Sequence, residues 1–311
     1  MKQSVITTPV VLIIYKRADT TRQVLKAISE VKPSTLFVIS DGAHPDHADE
    51  NEKVAEVRAL IEQIAWDCDI ATNYAEYNLG LRNRVVSGLD WVFEDVERAI
   101  ILEDDCVPDQ SFFYFCEELL EHYQEDERIM VISGDNYQKG RQRSPYSFYF
   151  SRYNHCWGWA TWRRAWQHYN DTMELWPQIR DSGLLMGILD QKKSVVRYWT
   201  NIFDAVYAGR IDSWAYRWTY SCWLQSGLTV LPSVNLVSNI GFGEQATHTK
   251  YAGSKANQPR FSLNFPLVYP PFIVRDSRAD SFTERDHFGI SFKKWVKRRI
   301  ANFLRLFGFF R

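Results

Sequence analysis

Along the first 140 residues, short runs of consecutive apolar residues alternate with longer stretches whose apolar positions recur every three or four. Val10 to Tyr15 reads as a strand buried on both faces, and Val24, Leu25, Ile28 and Val31 then repeat at helical spacing behind Asp19 or Thr20, either of which suits a helix cap. Leu36 to Ile39 is a second buried strand ending in Ser40-Asp41-Gly42, followed by a helix carrying Val54, Val57, Leu60, Ile61 and Ile64. A weaker strand spans Ile70 to Tyr74, a helix carries Val85, Val86, Leu89, Val92 and Phe93, and a fourth strand surrounds Ile100. Such alternation predicts an α/β fold: a mostly parallel, Rossmann-like sheet with helices on both faces, whose ligands bind at the carboxyl ends of the strands.

After about Pro145 the pattern changes. Trp157, Trp159, Trp162, Trp166, Trp176, Trp199, Trp214, Trp218 and Trp223 crowd one stretch, so an aromatic-rich half at 141–290 follows a ligand-binding half at 1–140. Most of these rings are expected to fill core; a flat aromatic face can also stack on the C–H face of a sugar ring. With 311 residues and 45% hydrophobic content the chain can bury a large core, and the halves are compatible with one continuous fold. A net charge of -1 argues against nucleic acid as the main partner. Five cysteines, odd in number and without metal-ligand spacing, argue against a disulfide framework or a zinc site and suit a reducing compartment. Pro9 to Tyr15 is too short to span a membrane and lacks a following cleavage site, so the cytosol is the default expectation.

Chemistry concentrates at the strand ends. Lys16-Arg17 follows the first strand, Ser40-Asp41-Gly42 the second, and Glu103-Asp104-Asp105 the fourth. Three adjacent carboxylates at the end of a buried strand repel one another and call for a cation. Mg²⁺ or Mn²⁺, held by one or two carboxylates and substrate phosphates, is the expected partner, against the plainer reading of an exposed acidic loop before Pro108.

The succession Ile14-Tyr15-Lys16-Arg17, Ser40-Asp41-Gly42, Asn78-Leu79-Gly80-Leu81, then Glu103-Asp104-Asp105 with Pro108 and the Phe112 to Phe115 helix resembles the GT-A fold glycosyltransferases of the bacterial family 2-like group. It is similar also to N-acetylglucosaminyltransferase I, whose metal motif is likewise Glu-Asp-Asp. The resemblance is clearest over residues 9–135 and continues more loosely in Ile132 to Asn136 and Trp157-Gly158-Trp159. It implies that Arg17 lies near the donor pyrophosphate, that Asp41 accepts a hydrogen bond from the nucleobase (N3–H of uracil), and that Asp105 binds the metal. Glu103 and Asp104 then reach the ribose or metal-bound water, Asp104 being the usual ribose contact. The chemistry agrees, since a cation suits a diphosphate and an ionised carboxylate can accept but not donate. Arg82 could steer the same phosphates or be a solvated helix-face arginine.

For an inverting reaction the resemblance places a general base past the Gly-Trp region, and Asp212 is the best positional match, with Asp204 and Glu174 as competitors and a helix N-cap as its other reading. His248, at the end of the Gly-rich 235–248 loop, fits by order a histidine returning to the metal or diphosphate, and that loop suits a lid. From Phe292 to Phe307 apolar residues run at helical spacing among lysines and arginines, predicting a basic amphipathic helix at 291–311. It could lie on the inner face of the cell membrane, form a dimer interface or pack on the catalytic domain.

The reading is a metal-dependent glycosyltransferase moving a sugar from a nucleotide-sugar, UDP-linked and with inversion, to a glycan or lipid-linked acceptor in bacterial surface polysaccharide or lipopolysaccharide assembly. A sugar-nucleotide nucleotidyltransferase shares the sheet logic but normally has a Gly-rich phosphate loop, and Tyr15-Lys16-Arg17-Ala18 is not one. A noncatalytic carbohydrate-binding protein would explain the tryptophans without the acids.

Overall fold

Every residue of β1 (Val10–Ile14) is buried, and its alternating side chains feed two separate cores. The structure, a computed structural model, describes residues 6–241 and 258–290. α1 (Ala18–Val31), β2 (Thr35–Ser40), α2 (Glu50–Ile61), β3 (Asp69–Tyr74), α3 (Leu81–Asp95) and β4 (Arg98–Glu103) follow in turn, as the periodicity predicts. Val10, Leu12 and Ile14 join one core with α1 and α2, and Val11 and Ile13 join the other with α3. Burying one such aliphatic side chain contributes about 1.5–3 kcal/mol, so a run of five apolar residues is most stable at the centre of a sheet covered on both faces. β3, at the sheet edge, is the weakest of the runs and half-exposed. The cap of α1 differs from expectation. Its N-cap is Arg17, whose carbonyl accepts from the Thr21 N–H at 3.0 Å and the Thr21 hydroxyl at 2.7 Å, while Asp19 sits within the first turn.

The chain continues through β5 (Cys106–Pro108), α4 (Gln110–His122), β6 (Ile129–Ser133), β7 (Phe148–Ser151), β8 (Trp159–Trp162), α5 (Arg163–Trp166), α6 (Trp176–Ser182), α7 (Leu184–Ile188), α8 (Lys193–Tyr207), α9 (Trp214–Leu224), β9 (Leu228–Pro232), β10 (Val237–Asn239) and α10 (Ser277–Asp286). The main sheet has eight strands in the order β3-β2-β1-β4-β8-β6-β9-β7. Only β8 and β7 run against the other six, so the sheet is mostly parallel with helices on both faces. A separate antiparallel pair joins β5 to β10.

Two compact units result. One comprises the described residues of Met1–Asp171 and Ser213–Arg275 and contains both sheets. The other comprises those of Thr172–Asp212 and Asp276–Arg311 and is helical: Trp176 and Trp199 pack on Phe203, and Lys192 Nζ donates to Glu284 at 2.9 Å. Among the described residues no helix is long and apolar enough to cross a membrane. The proposed basic helix at 291–311 lies outside them.

Candidate active site

The strand order 3-2-1-4 makes the chain leave β1 towards β2 and return to β4 on the other side, opening a crevice above the carboxyl ends of β1 and β4. A cavity of about 420 Å³ lies there, within the sheet-bearing unit. Five carboxylates line it (Asp41, Glu50, Glu103, Asp104 and Asp105) against three cations, Lys16, Arg17 and Arg84.

Register places the acid triplet. β4 ends at Glu103 beside Ile13 of β1, so Asp104 and Asp105 emerge at the crevice. The pairing of β5 with β10 then fixes them from the other side: Ile240 N–H donates to the Asp105 carbonyl at 2.8 Å and Asn239 Nδ2 to Asp105 Oδ1 at 3.2 Å. Gly241 follows, and a Cβ there would stand 1.9 Å from Asp105 Oδ2, so any side chain at this position would displace Asp105 and Arg17. Arg17, released at the end of β1, ion-pairs with Asp104 and donates to Asp105 Oδ2 at 2.8 Å. Loss of solvation together with the charges of Asp105 and Asp104 pushes Glu103 up to about 8. Loss of solvation also raises Asp104, to about 6, although Arg17 opposes it. Burial works against the charged Arg17 guanidinium, but Asp104 and Asp105 outweigh it and raise its pKa.

The site therefore carries more acid than Arg17 neutralises. Its donors are hard oxygens, the kind that fit Mn²⁺ or Mg²⁺. Among the described residues no three His, Cys, Asp or Glu side chains converge as a metal cage. An ion bound through one or two carboxylates and substrate phosphates needs none.

At the other end of the cavity, Glu50, the buried first residue of α2, pairs with Lys16, accepts from the Tyr15 hydroxyl and accepts from His44 N–H at 3.0 Å. Burial alone would raise its pKa, but these donors hold it down at about 2. Asp41 ties two loops together. Its Oδ1 accepts from the N–H groups of Gly42 (2.9 Å) and Leu79 (2.8 Å), and its Oδ2 from Gly80 N–H (3.0 Å) and Asn78 Nδ2 (3.2 Å). A Cβ on Gly42 would come within 2.4 Å of the Tyr77 backbone, which explains the glycine after Asp41. Three backbone N–H groups and the Asn78 amide thus fix the orientation of the Asp41 carboxylate at the cavity wall.

The remaining expectations distribute unevenly. Arg82 does not line the cavity; its Nη1 donates to Asp171 Oδ2 at 2.6 Å. Two residues on, roughly 200° around the helix, Arg84 does line it, anchored on Asn73 O and Oδ1 at 2.7 Å. Asp212 is exposed, and the N-cap of α9 is Ser213, whose hydroxyl accepts from Tyr216 N–H, so the capping expectation for Asp212 is corrected. Asp204 accepts from Trp176 Nε1 at 3.0 Å and Arg180 Nη1 at 3.3 Å, and Glu174 is exposed. His248 lies outside the described residues. Of the nine tryptophans singled out, eight are buried in cores; Trp157 is half-exposed and lines the cavity. Glu50, Arg84 and Asn239 escaped the sequence reading. Glu50 lies within an acidic run and Arg84 within a helix, and the contact of Asn239 with Asp105 spans 134 positions of sequence.

Trp157 is held there by Asp135, whose Oδ2 accepts its backbone N–H at 3.1 Å. Burial raises the Asp135 pKa well above the usual carboxylate value. The folded state thus holds this proton more tightly than the unfolded chain, so the group's contribution to stability is complete at low pH and is lost as pH rises. Asp135→Asn keeps the acceptor and removes the ionisation. Its melting temperature should rise relative to wild type between pH 4 and 8, by about 2–4 °C for each kcal/mol recovered. A difference that stays constant across that range would refute this account.

No family model matches the sequence, and no curated protein matches it. Among solved structures, the chain is similar to a mannosyltransferase from Pyrobaculum calidifontis in complex with GDP-Man and Mn²⁺, at 14% identity and a TM-score of 0.35. The match covers 49% of this chain and 44% of that one.

Proposed function

We propose that this protein is a glycosyltransferase of the GT-A type that takes a sugar from a nucleotide-sugar donor. The observation that carries this reading is a surplus of acid at the switch point of a mostly parallel sheet: Glu103, Asp104 and Asp105 crowd around one cation, Arg17, and loss of solvation and the crowding raise Glu103 to about 8. A bare diphosphate would be repelled by such a surplus, whereas a diphosphate arriving with a divalent cation would be complementary to it. Asp105 would hold the ion, with Glu103 and Asp104 beside it. Bound there, the ion would act as a Lewis acid and neutralise the departing diphosphate. Arg17, between Asp104 and Asp105, would add a second positive charge where the leaving group accumulates negative charge, and the amino end of α1 would reinforce it.

Trp157 offers the cavity a partly exposed aromatic face, which suits a sugar ring. A UDP-sugar donor, inversion with Asp212 as base, a glycan or lipid-linked acceptor in surface polysaccharide assembly, and peripheral membrane contact through 291–311 belong to this proposal, supported by motif order alone. Incubation with a panel of nucleotide-sugars and Mn²⁺, with and without a chelator, tests it. Release of a free nucleoside diphosphate, lost on chelation, is expected. Pyrophosphate released from a sugar phosphate and a nucleoside triphosphate would establish a nucleotidyltransferase instead, and no product of either kind would leave carbohydrate binding.

A further inference from the structure

Asp104 and Asp105 are neighbours in the cavity wall but are held differently. Arg17 meets Asp104 on both oxygens, Nη2 pairing with Oδ1 and Nε lying 3.4 Å from Oδ2. Of Asp105 it meets one oxygen only, Oδ2, at 2.8 Å. The other oxygen, Oδ1, instead meets two neutral donors: Asn239 Nδ2 at 3.2 Å and the Cys106 thiol at 3.5 Å. Asn239 is itself fixed. It is buried at the end of β10, its backbone stands in register with Cys106 of β5, and it lines the cavity. Its Oδ1 accepts from Gly241 N–H at 2.9 Å. A peptide N–H can only donate, so this bond settles which end of the amide is oxygen and leaves Nδ2 for Asp105; turned over, the amide would set oxygen against the carboxylate.

We infer that Asn239 is a positioning residue for the cation of the donor complex: it holds Asp105 by Oδ1, so that Oδ2, the oxygen facing the cationic side of the cavity, is presented to the ion. The inference rests on the metal-dependent reading of this cavity and deepens it. A neutral amide suits the task, because it directs the carboxylate without cancelling the charge that the ion needs, whereas Arg17 neutralises what it pairs with. Hydrogen bonds of this kind, made to a ligating group from the side away from the ion, orient it and tune its affinity. The two aspartates thereby divide the work, Asp104 as the main partner of Arg17 and Asp105 as the group kept for the ion.

Asn239→Ser separates the two bonds made by the amide. A serine hydroxyl can still accept from Gly241 N–H across the same turn, but it is one atom shorter and does not reach Asp105. Mn²⁺ is titrated into the full chain, alone and with UDP or GDP, free Mn²⁺ being read by electron paramagnetic resonance against protein-free controls; thermal unfolding is followed without metal. Asn239→Ser is expected to weaken Mn²⁺ binding about 10- to 100-fold, the cost of removing a group that orients a metal ligand, while its melting temperature without metal stays close to that of wild type. Asn239→Ala, which loses both bonds, should bind Mn²⁺ no better and melt lower. If the serine variant binds Mn²⁺ as wild type does and only the alanine variant binds it weakly, the amide serves the Gly241 turn alone, and the inference is overturned with the metal reading intact. A serine variant whose metal-free melting temperature falls together with its Mn²⁺ affinity overturns it too, since the loss is then one of structure. Absence of Mn²⁺ binding by wild type under all three conditions overturns the metal-dependent reading and this inference with it.

Discussion

Asp105→Asn is expected to lower kcat/KM by more than about 100-fold and to abolish the Mn²⁺ dependence of nucleotide binding, while the protein still folds with Arg17 held by Asp104. Replacing a group that merely orients a metal ligand costs about 10–100-fold, so removing the ligand charge should cost more. The fold is expected to survive because asparagine is isosteric. Its Oδ1 can still accept from Asn239, and the Asp105 backbone keeps its bond from Ile240 N–H. Parallel measurements of donor turnover, Mn²⁺-dependent nucleotide titration and thermal unfolding separate the two effects. Turnover at the wild-type level would remove Asp105 from the chemistry and leave the acid triplet as a structural cluster held by Arg17.

The parallel half of the fold was legible because burial on both faces writes itself into sequence as uninterrupted apolar runs, as at Val10–Ile14 and Ala99–Leu102. The crevice followed from strand alternation, since any polar residue placed just after such a run must emerge at one end of the sheet. Arg17, Asp41 and the acid triplet were found this way, and all line one cavity. Their partners were not legible. The contact of Asn239 with Asp105 exists only because β10 returns to pair with β5, and the register of a short two-stranded ribbon leaves little trace in local periodicity. The choice between Arg82 and Arg84 depends on helix rotation, which fixes faces only once it is known which face meets the sheet. Asp41 shows a further limit: residue type predicts an acceptor, but only the fold reveals the backbone N–H groups of Gly42, Leu79 and Gly80 that hold it. In the tryptophan-rich stretch, composition indicates ring density without distinguishing Trp157 in the cavity from eight rings in cores.

Arg17→Met should lower turnover by roughly 10²–10³-fold, the range seen when one preorganised charge facing a developing anion is removed. It should also destabilise the protein, and the size of that loss should depend on pH. Arg17 is the shared partner of Asp104 and Asp105, and removing one member of a buried ion pair costs about 3–5 kcal/mol when the other charge is left in place. For a chain of this size that corresponds to a fall in melting temperature on the order of 10 °C. The stranded carboxylates can escape the penalty by taking up protons. Asp104 already stands at about 6 and Glu103 at about 8 with Arg17 present, and without its charge both move further up. Acids raised in the folded state bind more protons than the unfolded chain does, so stability is retained at low pH and declines as pH rises through their folded-state values. The melting-temperature deficit of Arg17→Met should therefore be small near pH 5 and grow towards pH 8. Thermal unfolding of both proteins across that interval measures it directly; a deficit that is constant or shrinks with rising pH would show that Arg17 does not neutralise the acid triplet.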